Sequence, residues 1–245
     1  MRTPFIAGNW KMFKTAAEAV DFVTNLKPQV AEVINREILV CPPFPALAPV
    51  AEALRNSNIK LGAQNLFWED EGAFTGEVSA PMLKAVGCQY VIIGHSERRQ
   101  YFGETNETVN KKIFAALKHN LWPIVCIGET LEEREKNETF KVIEKQVQEG
   151  FKNLDSSNWL QVTIAYEPVW AIGTGKTATP KQAQEVHAFI RGLLPKEVAS
   201  QVRILYGGSI KPENIKELMA QPDIDGGLVG GASLKVESFV KIIKF

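Results

Sequence analysis

Eight short apolar runs recur along the chain: Phe5–Gly8, Ile38–Cys41, Ile59–Ala63, Tyr90–Ile93, Pro123–Ile127, Val162–Tyr166, Ile204–Tyr206 and Gly227–Val229. Each is nearly continuous in apolar residues rather than alternating. A strand covered on one face alternates, so these runs predict strands buried on both faces, as in a parallel sheet. The gaps carry the helical period instead. Ala16–Val30 repeats apolar residues at Ala16, Ala19, Val20, Val23 and Leu26, and Asn106–Leu117 places Val109, Ile113, Ala116 and Leu117 on one face. Phe140–Phe151 and Pro180–Leu194 behave alike. Thr179-Pro180 and Lys211-Pro212 put proline where it suits the first helical turn, so a helix is expected to begin at each.

Eight strand–helix units of roughly 30 residues match a (β/α)8 barrel and account for a chain of 245 residues. The expected fold is therefore α/β, with eight parallel strands surrounded by helices. A doubly wound sheet ranks lower, because polar residues at strand ends are spread along the chain rather than gathered at one switch point. No shift in composition divides the chain, so residues 1–245 are expected to form a single barrel domain.

Charge narrows the partners. Lysine and arginine total 28, and so do aspartate and glutamate. A balanced chain offers no electrostatic case for nucleic acid or an anionic membrane. Any anionic ligand must be small and met by local groups. The three cysteines, Cys41, Cys88 and Cys126, are far apart with no C-x-x-C pair, which predicts a reducing, cytoplasmic setting. The N-terminus turns polar too early for a signal peptide, and no apolar run approaches the length of a membrane span. No H-E-x-x-H, Cys/His cluster or Asp-rich loop points to a metal.

In a barrel, the C-terminal ends of the strands carry the site. Those ends supply Asn9-Trp10-Lys11, Gly94-His95-Ser96-Glu97, Cys126 with Gly128-Glu129, then Glu167, Gly207-Gly208-Ser209 and Gly230-Gly231-Ala232-Ser233. Glu167 ends the sixth run, and Pro168 stops the strand because it has no N–H. Val169-Trp170-Ala171-Ile172-Gly173-Thr174-Gly175 then reads as an apolar flap hinged on glycine. A carboxylate under such a flap has the surroundings of a dry general base. His95 precedes a helix start at Ser96-Glu97-Arg98, and the positive end of a helix dipole favours its neutral ring. His119 and His187 fall in helical segments and read as solvated or structural. Lys11, just past a buried strand, suits a phosphate or a developing oxyanion. The glycine turns after the seventh and eighth runs stand where barrels bind phosphate through backbone N–H groups, and Ala232-Ser233-Leu234 suits a short accessory helix. Cys126 reads as an inert core thiol, and Trp10, Trp122 and Trp159 as packing. Gly173-Thr174-Gly175-Lys176-Thr177 imitates the end of a P-loop, but that motif needs glycine where Trp170 stands.

The chain resembles the triosephosphate isomerase family from Asn9-Trp10-Lys11-Met12 to Gly230-Gly231-Ala232. The most specific pieces are Gly94-His95-Ser96-Glu97-Arg98-Arg99, Tyr166–Gly175 and Tyr206-Gly207-Gly208-Ser209. The resemblance implies a TIM barrel that interconverts dihydroxyacetone phosphate and D-glyceraldehyde 3-phosphate through an enediolate, with no cofactor and no metal. A sugar-phosphate-binding barrel without catalysis is the alternative. By resemblance Glu167 is the base, His95 the electrophile, Lys11 and Asn9 the substrate-contacting pair, and Glu97 a supporting carboxylate. Gly173, Ser209, Gly230 and Gly231 match phosphate-contacting positions, and Pro168 to Ala178 a closing lid. The family's pairing of glutamate with a neutral histidine is itself a standard illustration of pKa tuning. The resemblance also implies a homodimer, with Gly72-Ala73-Phe74-Thr75-Gly76-Glu77 entering the neighbouring subunit.

Overall fold

The computed structural model describes residues 2–171 and 178–245. Eight strands pair in sequence order and close on themselves: β1 (Phe5–Asn9), β2 (Glu37–Cys41), β3 (Ile59–Ala63), β4 (Tyr90–Ile93), β5 (Trp122–Ile127), β6 (Thr163–Tyr166), β7 (Arg203–Tyr206) and β8 (Gly226–Val229). Every pairing is parallel, and β1 closes the ring by pairing Phe5 with Gly226 and Gly8 with Val229. Strand bounds fall within about one residue of the sequence expectation.

The continuous apolar runs have a direct cause. Side chains alternate along a strand, so each strand feeds two cores. Phe5, Ala7, Leu39, Tyr90, Ile92 and Leu205 fill the barrel interior. Their neighbours Ile6, Ile38, Val40, Val91 and Ile204 face outward beneath the helices, in a larger cluster with Leu26, Val109, Ile113, Ile143 and Ile190.

Helices Ala16–Val30, Asn106–Lys118, Thr139–Gly150 and Pro180–Leu193 lie close to where the periodicity places them. Thr15, Thr105 and Thr179 cap three of them, each in a reciprocal capping box. Pro180 opens its helix as expected. Lys211-Pro212 does not. The carbonyl of Lys211 accepts from the amides of Asn214 and Ile215, so a turn comes first and the helix spans Ile215–Met219. Among the described residues, no helix is long and apolar enough to cross a membrane.

The tryptophans pack as expected. Trp10 meets Phe22 edge-on, Trp122 meets Tyr90, and Trp159 stacks on Phe151.

Candidate active site

The barrel's own periodicity sets the position of the site. Ala7, Ala165, Leu205 and Leu228 face the interior. Two residues further on, the same alternation brings Asn9, Glu167, Gly207 and Gly230 to the C-terminal mouth. All four line one cavity of about 300 Å³, shared with Lys11, His95, Ser209 and Gly231. Glycine in this turn lets the backbone pack closely against its neighbours. A Cβ on Gly207 would stand 2.8 Å from Glu167 Cγ, and one on Gly208 would stand 2.3 Å from the Tyr206 hydroxyl.

Glu167 is 2% exposed. One oxygen lies 2.9 Å from His95 Nε2, and the other accepts the Ser96 N–H at 2.9 Å. Burial would raise its pKa, but the electrostatic pull and hydrogen bond of the His95 ring, then the Ser96 amide and the charge of Lys11, outweigh it. Its carboxyl is held below the usual range and is ionised at neutral pH.

His95 caps helix Ser96–Phe102. Its Nδ1 accepts the Glu97 N–H at 3.2 Å. An accepting nitrogen carries no proton, so in this geometry the ring is neutral and Nε2 donates to Glu167. Burial pulls the ring's pKa down, yet the charges of Glu167 and then Glu97 pull it up further, and the net direction is upward. This runs against the dipole argument from sequence. An ionised carboxylate in contact outweighs a helix terminus worth about half a charge.

Lys11 follows β1 with a left-handed backbone, φ 51°. Its N–H donates to Asn9 Oδ1 at 3.1 Å. Its ammonium pairs with Glu97 and lies 4.0 Å from where a Cβ on Gly230 would stand. After Gly230, residues Gly231–Leu234 form the short accessory helix, of the 3-10 type.

The expected residues thus converge, with two qualifications. Glu97 does not line this cavity; it lines an adjoining one with Asn9, Lys11 and His95, pairs with Lys11 and donates its N–H to His95 Nδ1. Gly173 lies outside the described residues, as do Thr174 to Thr177 of the P-loop-like stretch. Cys126 is fully buried in the interior, and burial, followed by the charge of Glu167, pushes its thiol well up.

Three contributors escaped sequence reading. The Ser96 amide holds Glu167, and a backbone donor leaves no mark in sequence. Lys211 lines the cavity; its signal was a cation directly after the Gly207-Gly208-Ser209 turn. Glu129 is fully buried and accepts from Tyr166, from the Trp170 indole at 2.9 Å and from Arg134 at 3.1 Å. Its strand-end position marked it, but nothing local revealed that it ties the flap's start to the barrel. Among the described residues, no group of three or more His, Cys, Asp or Glu is placed to hold a metal ion.

This geometry brings a buried ionised carboxylate, an imidazole donor and a cation to one cavity edged by glycine turns. Residues 4–245 match the family model described as triosephosphate isomerase. The chain is 63% identical to the triosephosphate isomerase of Carboxydothermus hydrogenoformans, covering 100% of this chain and 99% of that protein. Those of Endomicrobium trichonymphae and Moorella thermoacetica are 62% and 61% identical, with the same coverage.

Proposed function

The chain belongs to the triosephosphate isomerase family, and on that footing we propose that it interconverts dihydroxyacetone phosphate and D-glyceraldehyde 3-phosphate through an enediolate. The observation that carries the reading is the Glu167–His95 contact of 2.9 Å in the wall of a cavity that also holds Lys11 and the glycine turns.

Glu167 removes a proton from the carbon beside the carbonyl. To reach it, the carboxylate leaves the Ser96 amide and His95 Nε2. The substrate carbonyl then accepts from Nε2. With the carboxylate gone from that nitrogen, the upward pull on the His95 pKa weakens and the ring stays neutral. A neutral donor can pass a proton between the two enediolate oxygens, where an imidazolium would bind them too firmly to let go. Lys11 attracts the phosphate and offsets the oxyanion's charge. The phosphate rests on backbone N–H groups at Ser209, Gly230 and Gly231 and at Gly173 of the lid, the lid running from Pro168 to Ala178. Asn9 completes the substrate contacts.

We further read residues 1–245 as one domain acting as a homodimer. Met12 is 94% exposed, Tyr101 68%, Phe102 67% and Phe13 55%, and this apolar surface needs a cover. The Gly72–Glu77 loop, exposed throughout, is suited to enter the partner beside Lys11. Buried, free cysteines support a reducing, cytoplasmic setting.

The test is turnover of D-glyceraldehyde 3-phosphate with EDTA present, beside Glu167→Gln. The expected result is metal-independent turnover, reduced on the order of 10³-fold in the variant. A folded wild-type protein that binds phosphate without turnover would be a binding barrel instead.

A further inference from the structure

Lys11 combines two features that do not coexist without support. Its φ of 51° is a left-handed conformation that is unfavourable for a residue with a β-carbon. It also stands two residues past the end of β1, where an extended backbone would be the unstrained continuation. Something must hold the turn.

The Asn9 side chain accepts the Lys11 N–H from one side. From the other side, Gln64, just past β3, donates from Nε2 to the Lys11 carbonyl at 2.8 Å and to the Cys41 carbonyl at 2.8 Å. Both donor protons of the amide are thereby used. The Cys41 carbonyl also accepts the Trp10 N–H at 3.1 Å. One side chain therefore ties the turn after β1 to the end of β2 from a base on β3. Downstream, the Lys11 ammonium pairs with Glu97, whose N–H donates to His95 Nδ1.

We propose that Gln64 is a positioning residue for the isomerase reaction: its carboxamide clamps the strained Lys11 turn and thereby aims the ammonium at the phosphate end of the substrate. No other side-chain type of this size fits the role. Glutamate presents oxygen to two carbonyl oxygens, and leucine leaves both carbonyls without their donor. The proposal rests on the functional reading above, because it gives Lys11 a substrate to meet.

The test is Gln64→Glu, which keeps the shape and removes the donors, with Gln64→Leu alongside. Fold and dimer content are checked first by denaturation and sedimentation. The expected result is a KM for D-glyceraldehyde 3-phosphate raised about tenfold, as for loss of one well-placed charge contact of about 1.4 kcal/mol, with kcat lowered less. Inorganic phosphate should weaken as a ligand by a similar factor. In a Lys11→Met background, measured at high enzyme concentration, adding Gln64→Glu should change kcat/KM little, because the clamped group is already gone. A folded Gln64→Glu dimer with normal KM and normal phosphate affinity overturns the proposal. So does an equal loss in both backgrounds. If wild-type protein shows no turnover, the functional reading fails on its own, and phosphate affinity alone decides the role of Gln64.

Discussion

The two ends of the barrel hold the same kinds of charge and treat them in opposite ways. Strand alternation turns Glu37, Lys60 and Arg203 inward at the N-terminal end, beside Tyr90 and Phe5. There Glu37 accepts from the Tyr90 hydroxyl at 2.5 Å and from Lys60 at 2.9 Å, and pairs with Arg203. The Arg203 guanidinium lies 4.4 Å from the centre of the Phe5 ring. Burial would raise the pKa of Glu37, but Arg203, Tyr90 and Lys60 hold it below the usual range. Both cations face Glu37, and bulky side chains fill the layer. At the mouth, the corresponding layer offers Asn9, Glu167 and glycines, and a cavity remains. Glu167 there is held by His95 Nε2 and the Ser96 amide, and Lys11 is held in a strained turn. Ionised groups alone therefore do not make a site. Room beside them separates the mouth from the plug.

Glu37→Leu should have the largest effect. It strands Arg203 in a mostly buried layer and should cost about 4 kcal/mol of stability by chemical denaturation, while kcat stays unchanged. Glu37→Leu with Arg203→Met should recover more than half of that loss. A matching fall in kcat would show that the two ends are not separable.

His187 lies between the ends, fully buried, its ring edge against Tyr166 and its Nδ1 3.1 Å from the Asp223 carbonyl. Burial lowers its pKa to about 4. Below its unfolded pKa of about 6.5, the unfolded chain takes up a proton that the folded one refuses. Its contribution is complete above that pH and falls away as pH drops towards 4, by about 3 kcal/mol. His187→Phe should flatten this part of the stability–pH curve. An unchanged slope would mean that His187 is protonated or solvated in the folded state.

The third effect is smaller and confined to the mouth. Glu167→Asp withdraws the carboxylate by about 1 Å and should lower kcat on the order of 10²-fold, about 2.7 kcal/mol in the barrier, with little change in denaturation midpoint. Normal turnover would remove Glu167 from the role of base.

Much of this contrast was legible in the chain itself. The eight runs located the strands because burial on both faces leaves a continuous apolar signature. Glu167, His95 and Lys11 were legible because each sits at a strand end, where a barrel gathers its polar residues. Glu129 and Gln64 were harder to see. Each acts through partners remote in sequence, Glu129 on Trp170 and Gln64 on Lys11 and Cys41, and no local pattern encodes a distance across the barrel. Pro212 misled for a local reason: a proline that suits a first helical turn also suits the tight turn that precedes one.

Residue periodicity was enough to specify the barrel, and strand-end position was enough to mark Glu167, His95 and Lys11 as candidates, because both are local properties of the chain. The direction of the His95 shift, the left-handed backbone of Lys11 and the satisfied plug around Glu37 came only from the folded molecule. Each depends on which groups meet across the closed ring, and electrostatic and hydrogen-bond energies are set by those distances.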